Sequence, residues 1–238
     1  MNVTFKVFRF SPETDKEPRM DTFSVPGKEG MTVLEGLLYI LDNLDPTLSF
    51  RFACREGVCG SCAMFVNGKY KLACQTQISD LKSKTIEVRP LPNFPLIKDL
   101  VVDLTSFFDK LEKVMPYLKT TSAPPDKERL QSQAQRKKIG EAIDCVLCAS
   151  CQSACPQSWT NKDFLGPAVL LKSYRFIADS RDEAAAERLN LVTGEDGVWR
   201  CHSTFNCVEA CPKNVNQTEA ISALKRKAVA NKLKFWKK

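Results

Sequence analysis

The sequence predicts an α+β chain in which a small mixed domain is followed by an all-helical domain. Over residues 1–100, short segments of alternating apolar and polar residues surround one amphipathic helix. Beyond residue 100 the apolar residues recur at helical spacing, and no strand pattern is apparent. The predicted domains are therefore 1–100 and 101–238.

The first domain opens with two strands and a helix. Alternating apolar residues predict strands at 3–7 and 22–25. Thr32 and Glu35 have the spacing of a capping box, and the leucines that follow recur every three or four residues up to Leu44. This pattern predicts a helix with one face toward a core.

A hairpin and a final strand complete the first domain. Asn67-Gly68 lies between two apolar runs, which is the strongest short-range signal for a β-hairpin. The hairpin would return the chain to Cys74, and a last strand is predicted at 85–88.

The second domain is predicted to be helical throughout. Apolar spacing indicates a helix from residue 97 to Pro116, and further helices near 164–180 and 218–234. Residues 119–138 contain Pro-Pro and many charges, so we expect an extended connection there.

Composition and cysteine count limit the classes of function. No apolar run approaches the length of a membrane span, and the first residues lack the pattern of a signal peptide, so we expect a chain on the inner side of the cell. Eleven cysteines in such a chain favour metal ligation over disulfides. The chain has 35 basic and 28 acidic residues, a net charge of +7. Cysteines that bind metal do so as thiolates, so the loaded protein would carry much less positive charge and a nucleic-acid partner is not expected.

The first cysteine motif lies in the mixed domain and has the spacing C-x4-C-x2-C-x11-C. Its first three members match the plant-type [2Fe-2S] pattern; the four residues are Cys54, Cys59, Cys62 and Cys74. Glycines 57 and 60 suit a loop that wraps closely around a cluster. A structural zinc site is the alternative, but the spacing differs from the paired C-x2-C knuckles of zinc ribbons.

The second motif is C-x2-C-x2-C-x3-C-P and opens at Cys145. In this bacterial ferredoxin pattern the first three cysteines bind one cluster and the fourth binds another. We therefore predict a [4Fe-4S] cluster with four ligands: Cys145, Cys148, Cys151 and the distant Cys211.

The third motif repeats the second with one sulfur missing. Cys201, Cys207 and Cys211-Pro212 align with the earlier run, but Thr204 occupies the position of its second cysteine. Cys155 would join Cys201 and Cys207, so the site has three thiolates and a [3Fe-4S] cluster is predicted.

Three clusters in one small chain indicate electron transfer rather than bond-making catalysis. With one histidine in the chain and no nucleophile paired with a base, acid–base catalysis is expected on partner subunits.

Seven segments together resemble the iron–sulfur subunits of succinate dehydrogenase and fumarate reductase. They are 52–62, 89–92, 98–103, 166–168, 174–176, 179–182 and 200–202. The resemblance implies a β-grasp plant-type [2Fe-2S] ferredoxin domain followed by an all-α bacterial-type ferredoxin domain. It also implies a flavoprotein partner with FAD, a membrane-anchor partner, and a peripheral position on the cytoplasmic or matrix face of the inner or cytoplasmic membrane.

The same resemblance implies an electron path from succinate to quinone. Electrons would pass from the flavin through the [2Fe-2S], [4Fe-4S] and [3Fe-4S] clusters in turn. Residues beside the last cluster would contact ubiquinone or menaquinone: Pro156, Trp159, Arg200 and His202. Thr160 follows Trp159 where ubiquinone-using relatives have a second Trp, which keeps menaquinone open.

Three alternatives accompany this interpretation. In a fumarate reductase subunit, electrons would pass along the same clusters in the opposite direction, from quinone to the flavin. A zinc-bearing nucleic-acid-binding protein is the more remote alternative, and such a protein would be colourless. The basic stretch 225–238 is either a solvated helix end or a contact for anionic lipid.

Overall fold

The first compact unit of the chain is built on a five-stranded sheet. The computed structural model describes residues 2–235 and divides them into two units. Among these residues the first unit comprises 2–104 together with two short later segments, 146–153 and 210–212. The sheet has the order β2-β1-β5-β3-β4; its strands are β1 (Asn2–Arg9), β2 (Arg19–Pro26), β3 (Ala63–Val66), β4 (Lys69–Leu72) and β5 (Thr85–Arg89).

Strand β1 pairs antiparallel with β2 and parallel with β5. Helix α1 (Val33–Asn43) lies against this sheet, and the predicted capping box between Thr32 and Glu35 is present. Gly36 allows the helix to approach the ring of Phe5, because a Cβ atom there would lie 2.2 Å from Phe5 Cζ. The predicted strands, helix and hairpin of this half are confirmed.

The predicted helix from residue 97 is wrong over its first part. Residues Leu96–Lys98 and Val101–Val102 form a short antiparallel pair, β6 and β7. Asp99, at the turn, has a φ of 47°, which a helix does not allow, and its buried carboxylate accepts a 3.0 Å bond from Arg9 Nε. The helix, α2, covers only Thr105–Lys113.

The second unit is helical and centres on α6 (Pro167–Ile177). Residues on all sides of α6 are buried, and α2, α3, α7 and α9 all contact it. The helices after α2 are α3 (Gln133–Ile143), α4 (Ser150–Ala154), α5 (Pro156–Thr160), α6, α7 (Ala185–Val192), α8 (Asn206–Glu209) and α9 (Gln217–Phe235), and residues 150–153 of α4 belong to the first unit. No helix within residues 2–235 is both long and apolar enough to cross a membrane.

Two predictions in this half need correction or fall outside the structure. Helix α3 begins inside the connection predicted at 119–138, because Ser132 and Gln135 cap each other reciprocally. The last three residues of the basic stretch, 236–238, lie outside the described residues.

Candidate metal centres

The first cysteine loop turns its backbone amides toward sulfur. The amides of Glu56 and Val58 donate to Cys54 Sγ at 3.5 and 3.4 Å. Arg55 and Gly57 adopt positive φ angles of 61° and 77°, which bend the chain around this sulfur. Amide donors directed at a sulfur fit a thiolate that carries negative charge as a cluster ligand.

The other three cysteines of the first motif interact with one another. Cys74 follows β4 in a short 3-10 turn, and the amide of Ala73 donates to the carbonyl of Cys62 at 3.0 Å. The pKa of the Cys62 thiol is raised to about 12, mainly by burial and also by the thiols of Cys74 and Cys59, although the Cys74 backbone amide acts to lower it. At Cys59 burial also acts to raise the pKa, but hydrogen bonds from Ser61 and the Cys54 backbone lower it to about 6. The pKa of Cys62 therefore depends on two other thiols of the same motif.

The first loop packs directly against part of the second motif. A Cβ atom at Gly60 would lie 2.5 Å from the carbonyl oxygen of Val146 and 3.0 Å from Cα of Cys148. Gly60 also has a φ of 73°, which favours glycine on its own. The close approach joins two cysteine loops that are about 85 residues apart in sequence.

The second motif has a wrapped backbone on each side of Cys148. Leu147 and Ala149 adopt positive φ angles of 54° and 63°. Helix α4 then begins at Ser150, whose hydroxyl lies 3.4 Å from Cys148 Sγ. Left-handed residues alternating with ordinary ones direct successive amides inward, a geometry that binds anions and iron–sulfur clusters.

Three of the four cysteines predicted to bind the second cluster lie in one compact unit, and the fourth directly precedes a segment of it. Cys148, Cys151 and Cys211 belong to the first compact unit. Cys145 directly precedes the segment that begins at Val146, and its carbonyl accepts a 3.0 Å bond from Lys172 Nζ. Burial lowers the pKa of Lys172, while the Cys145 thiol acts to raise it.

The third motif has the same backbone geometry as the second, with Thr204 in place of a cysteine. Ser203 and Phe205 flank Thr204 with φ angles of 56° and 63°, matching the two residues that flank Cys148. Helix α8 begins at Asn206, two residues after Thr204, as α4 begins two residues after Cys148. Thr204 therefore has the same flanking backbone angles as Cys148, and its side chain is exposed.

The thiols predicted for the third site affect one another's pKa. Burial raises the pKa of the Cys207 thiol, a hydrogen bond to Thr218 lowers it, and the thiols of Cys155 and Cys201 also raise it. The buried thiol of this predicted set, Cys207, therefore responds to the other two.

Helix α9 supports this third site through side chains that the sequence did not reveal. Thr218 Oγ1 lies 3.5 Å from Cys207 Sγ, and Lys225 Nζ donates to the carbonyl of Cys201 at 2.7 Å. Thr218 is in the first turn of α9 and Lys225 two turns further along, and neither belongs to a cysteine motif, so no sequence signal distinguished these two.

The residues predicted to contact quinone have different environments. Pro156 is the first residue of α5, and Trp159 on the same short helix is 43% exposed. His202 is exposed, whereas the guanidinium of Arg200 lies 3.4 and 3.5 Å from the carboxylates of Glu195 and Asp196.

Two further aromatic side chains near the third motif were not predicted. Trp199 and Phe205 are 42% and 49% exposed, although both types of side chain are usually buried. Each lies two residues before a cysteine of the third motif, and this is the signal that could have identified them.

None of the eleven cysteines, all of which lie within residues 2–235, forms a disulfide. Over the same residues, no three His, Cys, Asp or Glu side chains form a site for a single metal ion.

Comparisons with known proteins bear on both halves of the chain. A family model described as a 2Fe-2S iron-sulfur cluster binding domain matches residues 4–109, and one described as a 4Fe-4S dicluster domain matches residues 137–212. These matches do not support the alternative of a zinc-bearing nucleic-acid-binding protein.

Two curated relatives and one solved structure are similar over almost the whole chain. The succinate dehydrogenase iron-sulfur subunit of Paracoccus denitrificans is 46% identical over 227 residues, which cover 94% of this chain and 87% of that protein. The subunit of the same name from Coxiella burnetii is 46% identical over 229 residues, which cover 94% and 95%. A chain of the Mycobacterium smegmatis Sdh1 complex in the apo form superposes with a TM-score of 0.86 at 25% identity, covering 98% of this chain and 97% of that one.

Proposed function

We propose that this chain, which belongs to the family of succinate dehydrogenase iron–sulfur subunits, transfers electrons between two partners. It would connect succinate oxidation on a flavoprotein with quinone reduction at a membrane anchor. As an electron-transfer subunit of this oxidoreductase, it contains a 2Fe-2S-binding domain followed by a 4Fe-4S dicluster domain. The flavoprotein partner would hold the FAD that receives electrons from succinate. The name shared by the curated relatives favours succinate oxidation over fumarate reduction as the working direction.

The two domains of the proposal are a β-grasp ferredoxin domain at 1–100 and an all-α ferredoxin domain at 101–238. The first is supported by α1 lying against a sheet in which β1 and β5 are parallel neighbours. The second is supported by the helices that surround α6.

The proposed ligand sets follow the three cysteine motifs. A [2Fe-2S] cluster would be held by Cys54, Cys59, Cys62 and Cys74, a [4Fe-4S] cluster by Cys145, Cys148, Cys151 and Cys211, and a [3Fe-4S] cluster by Cys155, Cys201 and Cys207. When bound, such clusters accept and release single electrons. The matching backbone on both sides of Cys148 and Thr204 supports the third set, because a position built like a ligand position lacks its sulfur.

The contact of Gly60 with Val146 and Cys148 is the observation that carries the proposal. Electron transfer between centres slows steeply with distance, so an electron carrier needs its ligand loops in close contact. Glycine makes this contact possible, since any side chain would overlap the neighbouring backbone. The protein thus contributes separation and orientation rather than an acid, a base or a nucleophile.

The quinone end of the path is proposed to lie beside the third site. Exposed indole and imidazole groups of Trp159 and His202 could donate hydrogen bonds to a quinone carbonyl. Pro156 is the first residue of α5, which carries Trp159, and the guanidinium of Arg200 pairs with the carboxylates of Glu195 and Asp196. A peripheral position on the cytoplasmic or matrix face of the membrane, held by the anchor subunits, is part of the proposal.

The test is anaerobic purification of the complex followed by stepwise reduction monitored by EPR. We expect three distinct iron–sulfur signals, one of them present only in the oxidised state, together with acid-labile sulfide. Cys54→Ser and Cys201→Ser serve as reciprocal controls, since each should alter one signal and preserve the other two. A colourless preparation without labile sulfide would contradict the proposed function.

A further inference from the structure

The start of helix α9 contacts one proposed ligand of the third site at two separate atoms. The amide of Gln217, with its nitrogen facing two carbonyls, donates to Cys207 O at 3.1 Å and to Val215 O at 2.9 Å. The hydroxyl of the next residue, Thr218, lies 3.5 Å from Cys207 Sγ. Gln217 therefore holds the backbone of Cys207, while Thr218 forms a hydrogen bond with the sulfur of Cys207.

The direction of the hydrogen bond depends on the state of the sulfur. In the free thiol either group can donate. A sulfur bound to iron has lost its proton and can only accept, so the Thr218 hydroxyl becomes the donor. Hydrogen bonds to the sulfurs are one of the factors that set the reduction potential of an iron–sulfur cluster.

The hydrogen bond between Thr218 and Cys207 is buried, so it can affect the reduction potential of a cluster bound at this sulfur. Thr218 is only 4% exposed and Cys207 only 7% exposed, so water competes poorly for either group. Low local polarity strengthens a hydrogen bond. Uptake of an electron increases the negative charge on the ligand sulfurs, so the bond becomes stronger in the reduced state.

We propose that Thr218 is a positioning residue that raises the reduction potential of the third cluster through its hydrogen bond to Cys207. A higher potential at this site favours arrival of the electron next to the quinone. The inference rests on the proposed function, because it requires Cys155, Cys201 and Cys207 to hold a redox cluster. It adds a residue that lies outside the cysteine motifs and does not bind iron.

The experiment is an EPR redox titration of the purified complex carrying Thr218→Val. Valine keeps the β-branched shape and lacks the hydroxyl. At a fixed applied potential we expect the ratio of reduced to oxidised third cluster to fall about five- to tenfold, the size expected for the loss of one hydrogen bond. A tenfold fall corresponds to a midpoint about 59 mV lower for a one-electron couple.

Two variants separate this effect from packing. Thr218→Ser retains the hydroxyl and should keep the midpoint near that of the unchanged protein. Thr193→Val is a matched control, because the Thr193 hydroxyl bonds the carbonyls of Leu189 and Asn190 and contacts no cysteine. It should leave the midpoint unchanged.

The outcomes distinguish the inference from the function on which it rests. An unchanged midpoint in Thr218→Val, or an equal fall in Thr218→Ser, would overturn the role of the hydroxyl while the function stands. Absence of the third signal from the unchanged complex would overturn both. Should Thr218→Val fail to assemble the cluster, Thr218→Ala removes the same hydroxyl with a smaller side chain and is read in the same way.

Discussion

Replacing Gly60 by alanine should loosen the contact between the first two cysteine loops. The added Cβ would lie 2.5 Å from Val146 O, whereas ordinary contact begins at 3.4 Å, so the loops must separate by about 0.9 Å. The neighbouring atoms are backbone and cannot rotate away. Overpacking of this kind costs about 1–3 kcal/mol, in addition to about 1–2 kcal/mol for a side chain at positive φ.

Comparison with Gly68→Ala separates the cost of the clash from the cost of a side chain at positive φ. Gly68 has a φ of 77°, close to the 73° of Gly60, but no atom lies within 4 Å of its added Cβ. The two variants therefore share the backbone cost and differ in the clash. Because the contact is lost when the loops open, heating should remove cluster absorbance from Gly60→Ala roughly 5- to 100-fold faster than from Gly68→Ala. Equal rates in the two variants would refute the packing on which the proposed path depends.

Three further predictions concern the third site and the first core. Thr204→Cys restores the missing ligand, so the signal seen only in the oxidised state should give way to that of a four-iron cluster; a persistent three-iron signal would mean that residue 204 is not the vacant ligand position. His202→Ala should lower succinate-dependent quinone reduction while reduction of a soluble artificial acceptor continues, and parallel loss of both activities would count against a quinone contact. Asp99→Ala removes one of the two close carboxylates from the buried Arg9, which keeps Asp45, and leaves the amides of Phe10 and Ser49 without their acceptor, so it should lower the free energy of unfolding by about 3–5 kcal/mol in a denaturant titration. The exposed control Asp80→Ala should have little effect, and equal effects would show that the buried pair contributes nothing.

The local parts of the fold were predictable because their signals depend on neighbouring residues. Asn67 and Gly68 both adopt positive φ, as the hairpin turn requires. The Thr32 capping box likewise involves residues only three apart. The cysteine motifs belong to the same class, since ligand spacing within a loop is a local property.

The incorrect helix from residue 97 illustrates the limit of periodicity. Leu100 has helical spacing relative to later apolar residues, but it packs in the core of the first unit. Its position is decided by Asp99, whose carboxylate accepts bonds from Arg9 and from the amides of Phe10 and Ser49. Partners 50 to 90 residues away leave no mark on a local pattern.

Long-range contacts also explain which site residues escaped prediction. The spacing of Cys201 and Cys207 was readable, but the approach of Thr218 to sulfur depends on how α8 and α9 pack. The role of Gly60 was only half predictable. Its loop suggested positive φ, whereas its contact with Val146 required the folded chain.

The first unit is built from segments that are far apart in the chain, which affects when it can be completed during synthesis. Segments 146–153 and 210–212 belong to this unit although they follow residue 104 in the chain. Translation at about 5–20 residues per second needs roughly 5–20 s to add the 108 residues from 105 to 212. During that interval the amino-terminal sheet lacks two segments of its own unit, including the loop that packs against Gly60.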